Sequence, residues 1–245
     1  LETLHYLGAL TDEGDLTELG EHMAEMPLDP QLAKCLLVSK DYNCVSTILT
    51  ITAMLSVPPF FLRPSQDTDE ADAIQASFGH PASDHIALFH VYNAFIAIEE
   101  DKQKEWCDDH YINYRHIANA LSVRKQLGDM IVRYGIDITS GIEEEDPLFS
   151  ISVRKCLCAG FFMQVAHREK NGSYLMIKDN QEVELHQSSN VRSKPKWVLF
   201  HSVKMTKKNY IQTITVVEGE WLIELAQNYY DMTNFPPGAA REELL

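Results

Sequence analysis

The sequence predicts an α+β protein of more than one domain, an α-helical bundle followed by a small β-barrel. Two observations carry this. Up to about residue 135 apolar residues recur at helical spacing, and after Pro147 they fall into short runs broken by turn signals. The charge divides at nearly the same place. Residues 1–150 hold 9 Lys/Arg against 26 Asp/Glu, a net of −17. Residues 151–245 hold 12 against 10, and within 151–210 the count is 11 against 4, a net of +7. An acidic module thus precedes a basic one, which is a functional hint; the plain alternative is that acidic helices keep the chain soluble.

The elements follow in order. Leu4, Leu7 and Leu10 lie at helical spacing, TDEGD (11–15) turns the chain, and Thr17 caps a second helix whose Glu18 and Glu21 suit its positive end. Gly20 weakens that helix. Asp29-Pro30 starts the next, over 30–40, with Asp29 as N-cap and proline in the first turn. A helix over 46–57 stops at Pro58-Pro59, and the polar stretch 65–72 leads into one ending near Phe78. Residues 84–98, 106–120 and 122–135 read as three further helices, the last capped by Ser122 and stopped at Gly135. Residues 136–147 read as a linker. Beyond it come a short helix over 152–160 and strands over 161–168, 174–178, 182–186, 197–202 and 210–216, then a helix over 220–226. Asn171-Gly172 is the strongest hairpin signal in the chain. Five short strands in about 80 residues fit an OB-like barrel.

Length and composition set bounds. The chain has 245 residues, 45% of them hydrophobic, enough for one large domain or two to three small ones. There is no signal peptide and no apolar run long enough to cross a bilayer. Five scattered cysteines suit buried free thiols in a reducing compartment. The chain opens on Leu1 in a helical register, and a longer parent is expected.

No residue set argues for catalysis. A GxxxxGK[ST] loop and a DEAH segment are both missing, so the chain itself is not expected to hydrolyse ATP. His80, His85 and His90 stand five apart, which is not the spacing that aligns two metal ligands on a helix, and Cys156 and Cys158 lack a second pair. No metal is expected. Runs of carboxylates at 99–101 and 143–146 read as solvated surface.

The basic module offers a nucleic-acid surface. KPKWVLFHSVKMTKKNYIQ (194–212) sets Lys194, Lys196, Lys204, Lys207 and Lys208 among Trp197, Phe200 and Tyr210. Lysines attract phosphates, and exposed aromatic rings give bases a stacking surface. Lys208 and Tyr210 share a face if both lie on one extended strand. The other reading is an ordinary strand pair with its apolar residues inside and its lysines solvated.

WVLFHSVKMTKKNYIQ resembles the C-terminal part of DEAH-box RNA helicases. So do LTELGEHMAEMPLDPQLAK (16–34), ILTITAMLSVPPFFLRP (48–64), DHIALFHVYNAF (84–95), WCDDHYINYR (106–115), VRKQL (123–127), GFFMQVAHRE (160–169) and YYDMTNFP (229–236), in order over nearly the whole chain. QVAHRE, DNQEVELH and YYDMTNFP are most similar to the G-patch-activated branch that dismantles spliceosomes and acts in ribosome biogenesis. The resemblance implies the end of a winged helix over 1–28, a ratchet-like helical domain over 29–135, an OB-fold over 148–232 and a tail over 233–245, disordered or docked on other domains. It implies two upstream RecA-like domains that bind ATP and magnesium in the parent, and a place in the nucleus or nucleolus.

By the same resemblance, single-stranded RNA threads past this region and meets mostly backbone contacts. The residues implied are Arg154, Lys155, Thr206, Lys207, Lys208 and Tyr210, with Lys178 and His186 as weaker candidates. In the bundle Arg115 and Arg124 are implied, together with Asn113 and Tyr114, unless these form an internal polar network. Gln212 stands where many relatives have Arg, which weakens a phosphate contact there. Asp84 and His85 fall in a family motif at a helix start, where Asp84 caps the helix and His85 packs or meets RNA. G-patch activators are implied to lay a short helix on exposed members of Met26, Leu28, Leu32, Leu36 and Leu37, most of which are expected in the core.

Overall fold

A computed structural model describes residues 1–233, 235 and 238–245. Asn234 and Pro236 of the YYDMTNFP segment lie outside the described residues.

The helical half comprises α1 (Glu2–Tyr6), α2 (Glu18–Glu25), α3 (Pro30–Val38), α4 (Val45–Leu55), α5 (Thr68–Ser77), α6 (Asp84–Ile96), α7 (Gln103–Asp109) and α8 (Tyr114–Arg133). Then come α9 (Phe149–Phe161), strands β1 (Val165–Arg168), β2 (Tyr174–Met176), β3 (Glu182–Leu185), β4 (Trp197–Met205) and β5 (Asn209–Val217), and helices α10 (Gly219–Leu225) and α11 (Ala239–Leu244). The strands close a barrel in the order β1-β2-β3-β5-β4, antiparallel throughout except for β3 beside β5. The chain is therefore α+β, as the sequence predicts.

Local chemistry explains most boundaries. Thr17 caps α2 by accepting the Gly20 N–H at 3.0 Å. Gly20 is required rather than a weakness: a Cβ there would stand 2.0 Å from the Ala9 carbonyl oxygen. Asp29 precedes α3 with Pro30 in the first turn, but its side chain makes no capping bond. Ser83, not Asp84, caps α6 by accepting the Ile86 N–H. The expected break at residue 121 is displaced. Tyr111 takes a left-handed φ of 53°, Ile112 bridges to Phe61, and Asn113 accepts the His116 N–H at 3.1 Å, so α8 starts at Tyr114 and runs through Ser122. Phe161 ends α9 rather than opening a strand, and both it and Phe162 are buried.

Three apolar clusters form. One fills the helices around α4, α6 and α8 (Met54, Phe60, Phe95, Ile117), and another fills the barrel (Ala166, Val183, Phe200, Ile211, Ile214). The largest joins the two halves and centres on α9, whose Phe149, Val153, Cys156, Leu157 and Phe161 are buried. It meets α3 at close range. The Cys156 Sγ donates to the Cys35 carbonyl at 3.3 Å, and the Cys35 Sγ donates to the Leu157 carbonyl at 3.7 Å. Burial pushes the Cys35 thiol well up and that of Cys158 to about 12, so both remain protonated.

The tail departs from expectation. Its helix α11 docks on the barrel of this same chain: Glu243 accepts from Trp197 Nε1 at 3.3 Å and pairs with Lys196 at 3.1 Å and His167 at 3.3 Å.

Gly160 is where α9 touches α3. A Cβ there would lie 2.4 Å from Cys35 Sγ and 2.5 Å from the Gln31 carbonyl oxygen. Backbone cannot yield as a side chain can, so Gly160→Ala should cost about 1–3 kcal/mol, the usual range for overpacking. Urea denaturation followed by circular dichroism measures it; an unchanged midpoint would mean the two helices slide apart freely.

Candidate nucleic-acid interface

The long β4–β5 hairpin builds the site. Its inner half is buried on both faces, with Trp197, Val198, Leu199 and Phe200 between the barrel interior and the helices. Along its outer half Lys204 pairs with Tyr210 and Met205 with Asn209. Met205 is 73% exposed, and Lys204, Thr206, Lys207 and Lys208 are exposed beside it.

Thr206 shapes the turn: its N–H and its hydroxyl donate to the Lys208 carbonyl at 3.0 and 2.9 Å. Lys208 lies in that turn, so strand pleating does not set it on the face of Tyr210. The two residues converge through β3 instead. Lys208 Nζ lies 2.5 Å from Glu184 Oε1, and Glu184 is the register partner of Tyr210. The hydrogen bond to Glu184 holds the Lys208 ammonium above its ordinary pKa. Both partners are exposed, and such pairs are weak enough for a phosphate to displace. Lys204 and Lys207 have no ion-pair partner among the described residues. Tyr210 is half-buried, edge-on to His186 with ring centroids 5.8 Å apart.

Other sequence candidates fall elsewhere. Arg154 is part of the packing: it donates to the Val216 carbonyl at 3.1 Å and lies over Trp221, and burial pulls its pKa down. Lys155 pairs with Glu224 at 2.9 Å on the same side. Arg124 serves the polar network, bonded to Thr50 at 2.8 Å and Ser46 at 3.2 Å. Arg115 is exposed on α8, and Lys178 is exposed between β2 and β3. In the activator cluster Met26, Leu32, Leu36 and Leu37 are core residues, and Leu28 alone is partly exposed.

Asp84 and His85 fasten the helices to the barrel. The two Asp84 oxygens accept the N–H groups of Asn190 and Ile214, each at 2.8 Å. Burial raises this carboxyl above its usual value, against the pull of those bonds. Ser83 Oγ and His85 Nδ1 both bond Thr215 Oγ1, at 2.6 and 2.8 Å. His80 accepts from the Ala82 N–H and His90 bonds the Phe78 carbonyl, their ring centroids 6.2 Å apart, while His85 turns to Thr215. Among the described residues no group of three His, Cys, Asp or Glu is placed to hold a metal.

Sequence reasoning missed a groove of about 520 Å³ between this joint and the hairpin. Phe60, Phe61 and Phe78 form its helical wall, while His186, Ser202 and Gln212 belong to its barrel wall. The only signal was the aromatic pair after Pro58-Pro59, which in sequence reads simply as a helix stop.

Three family models match. They describe a helicase-associated winged-helix domain over residues 1–28, a ratchet-like helicase-associated domain over 29–88 and an oligonucleotide/oligosaccharide-binding fold over 153–229. These are the domains of a DEAH-box helicase C-terminal region. The hairpin is the exposed basic part of the oligonucleotide/oligosaccharide-binding fold, and the groove lies between the ratchet-like helices and that barrel.

Burial lowers the His85 pKa from 6.5 to about 3, so the imidazole is neutral in the joint. The unfolded chain then binds the extra proton between those values, and stability present above about pH 6.5 is lost progressively toward about pH 3. Thermal melts should show Tm falling as pH drops below 6.5, and His85→Gln should flatten that fall. An identical slope in the variant would place the titration elsewhere.

Proposed function

We propose that this chain is the RNA-guiding and regulatory part of an ATP-dependent DEAH-box RNA helicase. The exposed hairpin of Lys204, Lys207 and Lys208, extending from a barrel of the oligonucleotide-binding type, carries the reading. ATP-driven movements of upstream RecA-like domains would draw single-stranded RNA 3′ to 5′ past this surface, which grips phosphates and not base identity. ATP and magnesium belong to those domains. The resemblance of QVAHRE, DNQEVELH and YYDMTNFP supports a role in spliceosome disassembly and ribosome biogenesis, in the nucleus and nucleolus, under G-patch activators. With Met26, Leu32 and Leu36 buried, an activator helix would need a surface around Leu28 and its exposed neighbours rather than a preformed groove there.

As one wall of a tunnel, the chain alone should bind single-stranded RNA weakly. Lys207→Glu with Lys208→Glu should weaken binding and lower the slope of log K against log salt by about 0.7 for each phosphate that is no longer neutralised. Fluorescence anisotropy over a salt series reads both. An unchanged affinity and slope would make the region a protein-docking module with solvated lysines.

A further inference from the structure

The groove between the ratchet-like helices and the barrel is built unlike a simple seam. One wall is aromatic: Phe61 lies 4.8 Å from Phe60 and 6.5 Å from Phe78 between ring centroids, and Phe61 and Phe78 are partly exposed. The facing wall is polar. The Ser202 hydroxyl and the Gln212 amide both line the groove, and neither has a hydrogen-bond partner among the described side chains. An amide offers a donor and an acceptor side by side, the pattern a base edge complements. Thr213 between them and the joint takes a φ of 54°, a left-handed conformation that a β-branched residue rarely adopts. Such strain persists where the surrounding structure enforces it, often at a binding site.

Arg63 also lines the groove, its guanidinium paired with Asp72 through two bonds of 2.7 Å. The groove is also continuous with the lysine hairpin, since His186 lines it and meets Tyr210 edge-on. Its volume of about 520 Å³ lies within the range of small-ligand sites.

We infer that this groove receives one unpaired nucleobase of the RNA strand held by the hairpin. The base stacks on Phe61, with Phe78 beside it, and Gln212 with Ser202 bonds its edge. An amphipathic protein helix fits less well, because the barrel wall of the groove is polar along its length. The inference rests on the RNA-binding reading above and adds to it a contact that senses bases, where the hairpin senses only phosphates.

The test uses this chain and short single-stranded RNAs of one base type, with an abasic ribose–phosphate strand of equal length, read by fluorescence anisotropy. Base-bearing strands should bind about tenfold tighter than the abasic strand, the scale of one or two stacking contacts. Ser202→Trp, at an exposed position, should fill the groove and bring base-bearing strands down to the abasic level without changing abasic binding. Gln212→Ala should reduce the differences among the base types. Circular dichroism confirms that both variants fold. If base-bearing and abasic strands bind alike, or Ser202→Trp changes neither, the base pocket is wrong while RNA binding by the hairpin stands. If no strand binds at all, the RNA reading itself falls. If Ser202→Trp instead blocks an amphipathic peptide and leaves RNA untouched, the groove belongs to a protein side chain and the inference is overturned.

Discussion

Everything else in this molecule hangs on how closely α9 can approach α3. The first helix of the basic module lies in the core of the acidic one, with the Cys35 and Cys156 thiols each donating to a carbonyl of the facing helix. Only a residue without a side chain fits at the crossing, because the neighbouring atoms include a main-chain oxygen of α3. The barrel is consequently a continuation of the helical core. Its strands start four residues after α9 ends, and Phe161 and Phe162 are buried in the shared cluster. That continuity is what gives the β4–β5 hairpin a defined direction relative to the helices.

A second joint sets the distance between the halves on the groove side. Asp84 accepts two amides from the barrel portion, and the neighbouring Ser83 and His85 both reach Thr215. A buried carboxylate is costly unless its lone pairs are used, and here both oxygens are engaged. With α9 fixed on one side and α6 on the other, the groove is held between two joints, and Asp84 both lines it and fastens one of them.

The fold was largely legible because its signals are local. Asp29-Pro30, Thr17, Asn171-Gly172 and the switch of hydrophobic period near Pro147 each act over a few residues, and each marks a real boundary. The break before α8 was less legible because Ile112 is placed by a bridge to Phe61, far away in sequence. The exposed lysines at 204, 207 and 208 could be read from charge alone. Arg154 and Arg124 could not be sorted from them, since a cation above Trp221 or Tyr92 looks in sequence like any other basic residue. The cluster of Met26, Leu28, Leu32, Leu36 and Leu37 was expected to be mostly core, but which member stays partly exposed could not be read without the helix packing. The groove was least legible of all, assembled from segments near residues 60, 78, 202 and 212.

The joint between α6 and β5 also orders events in time. Ser83 and Thr215 are 132 residues apart, so the helical half leaves the ribosome long before its partner strand exists. Until β5 arrives, Asp84 lacks the Ile214 amide, and Ser83 and His85 lack the Thr215 hydroxyl. Because β3 pairs in parallel with β5, and β4 pairs with it as well, that same strand closes the barrel. A single late segment therefore completes two modules at once, and any chain interrupted before residue 209 would keep both its barrel and its helical joint unfinished.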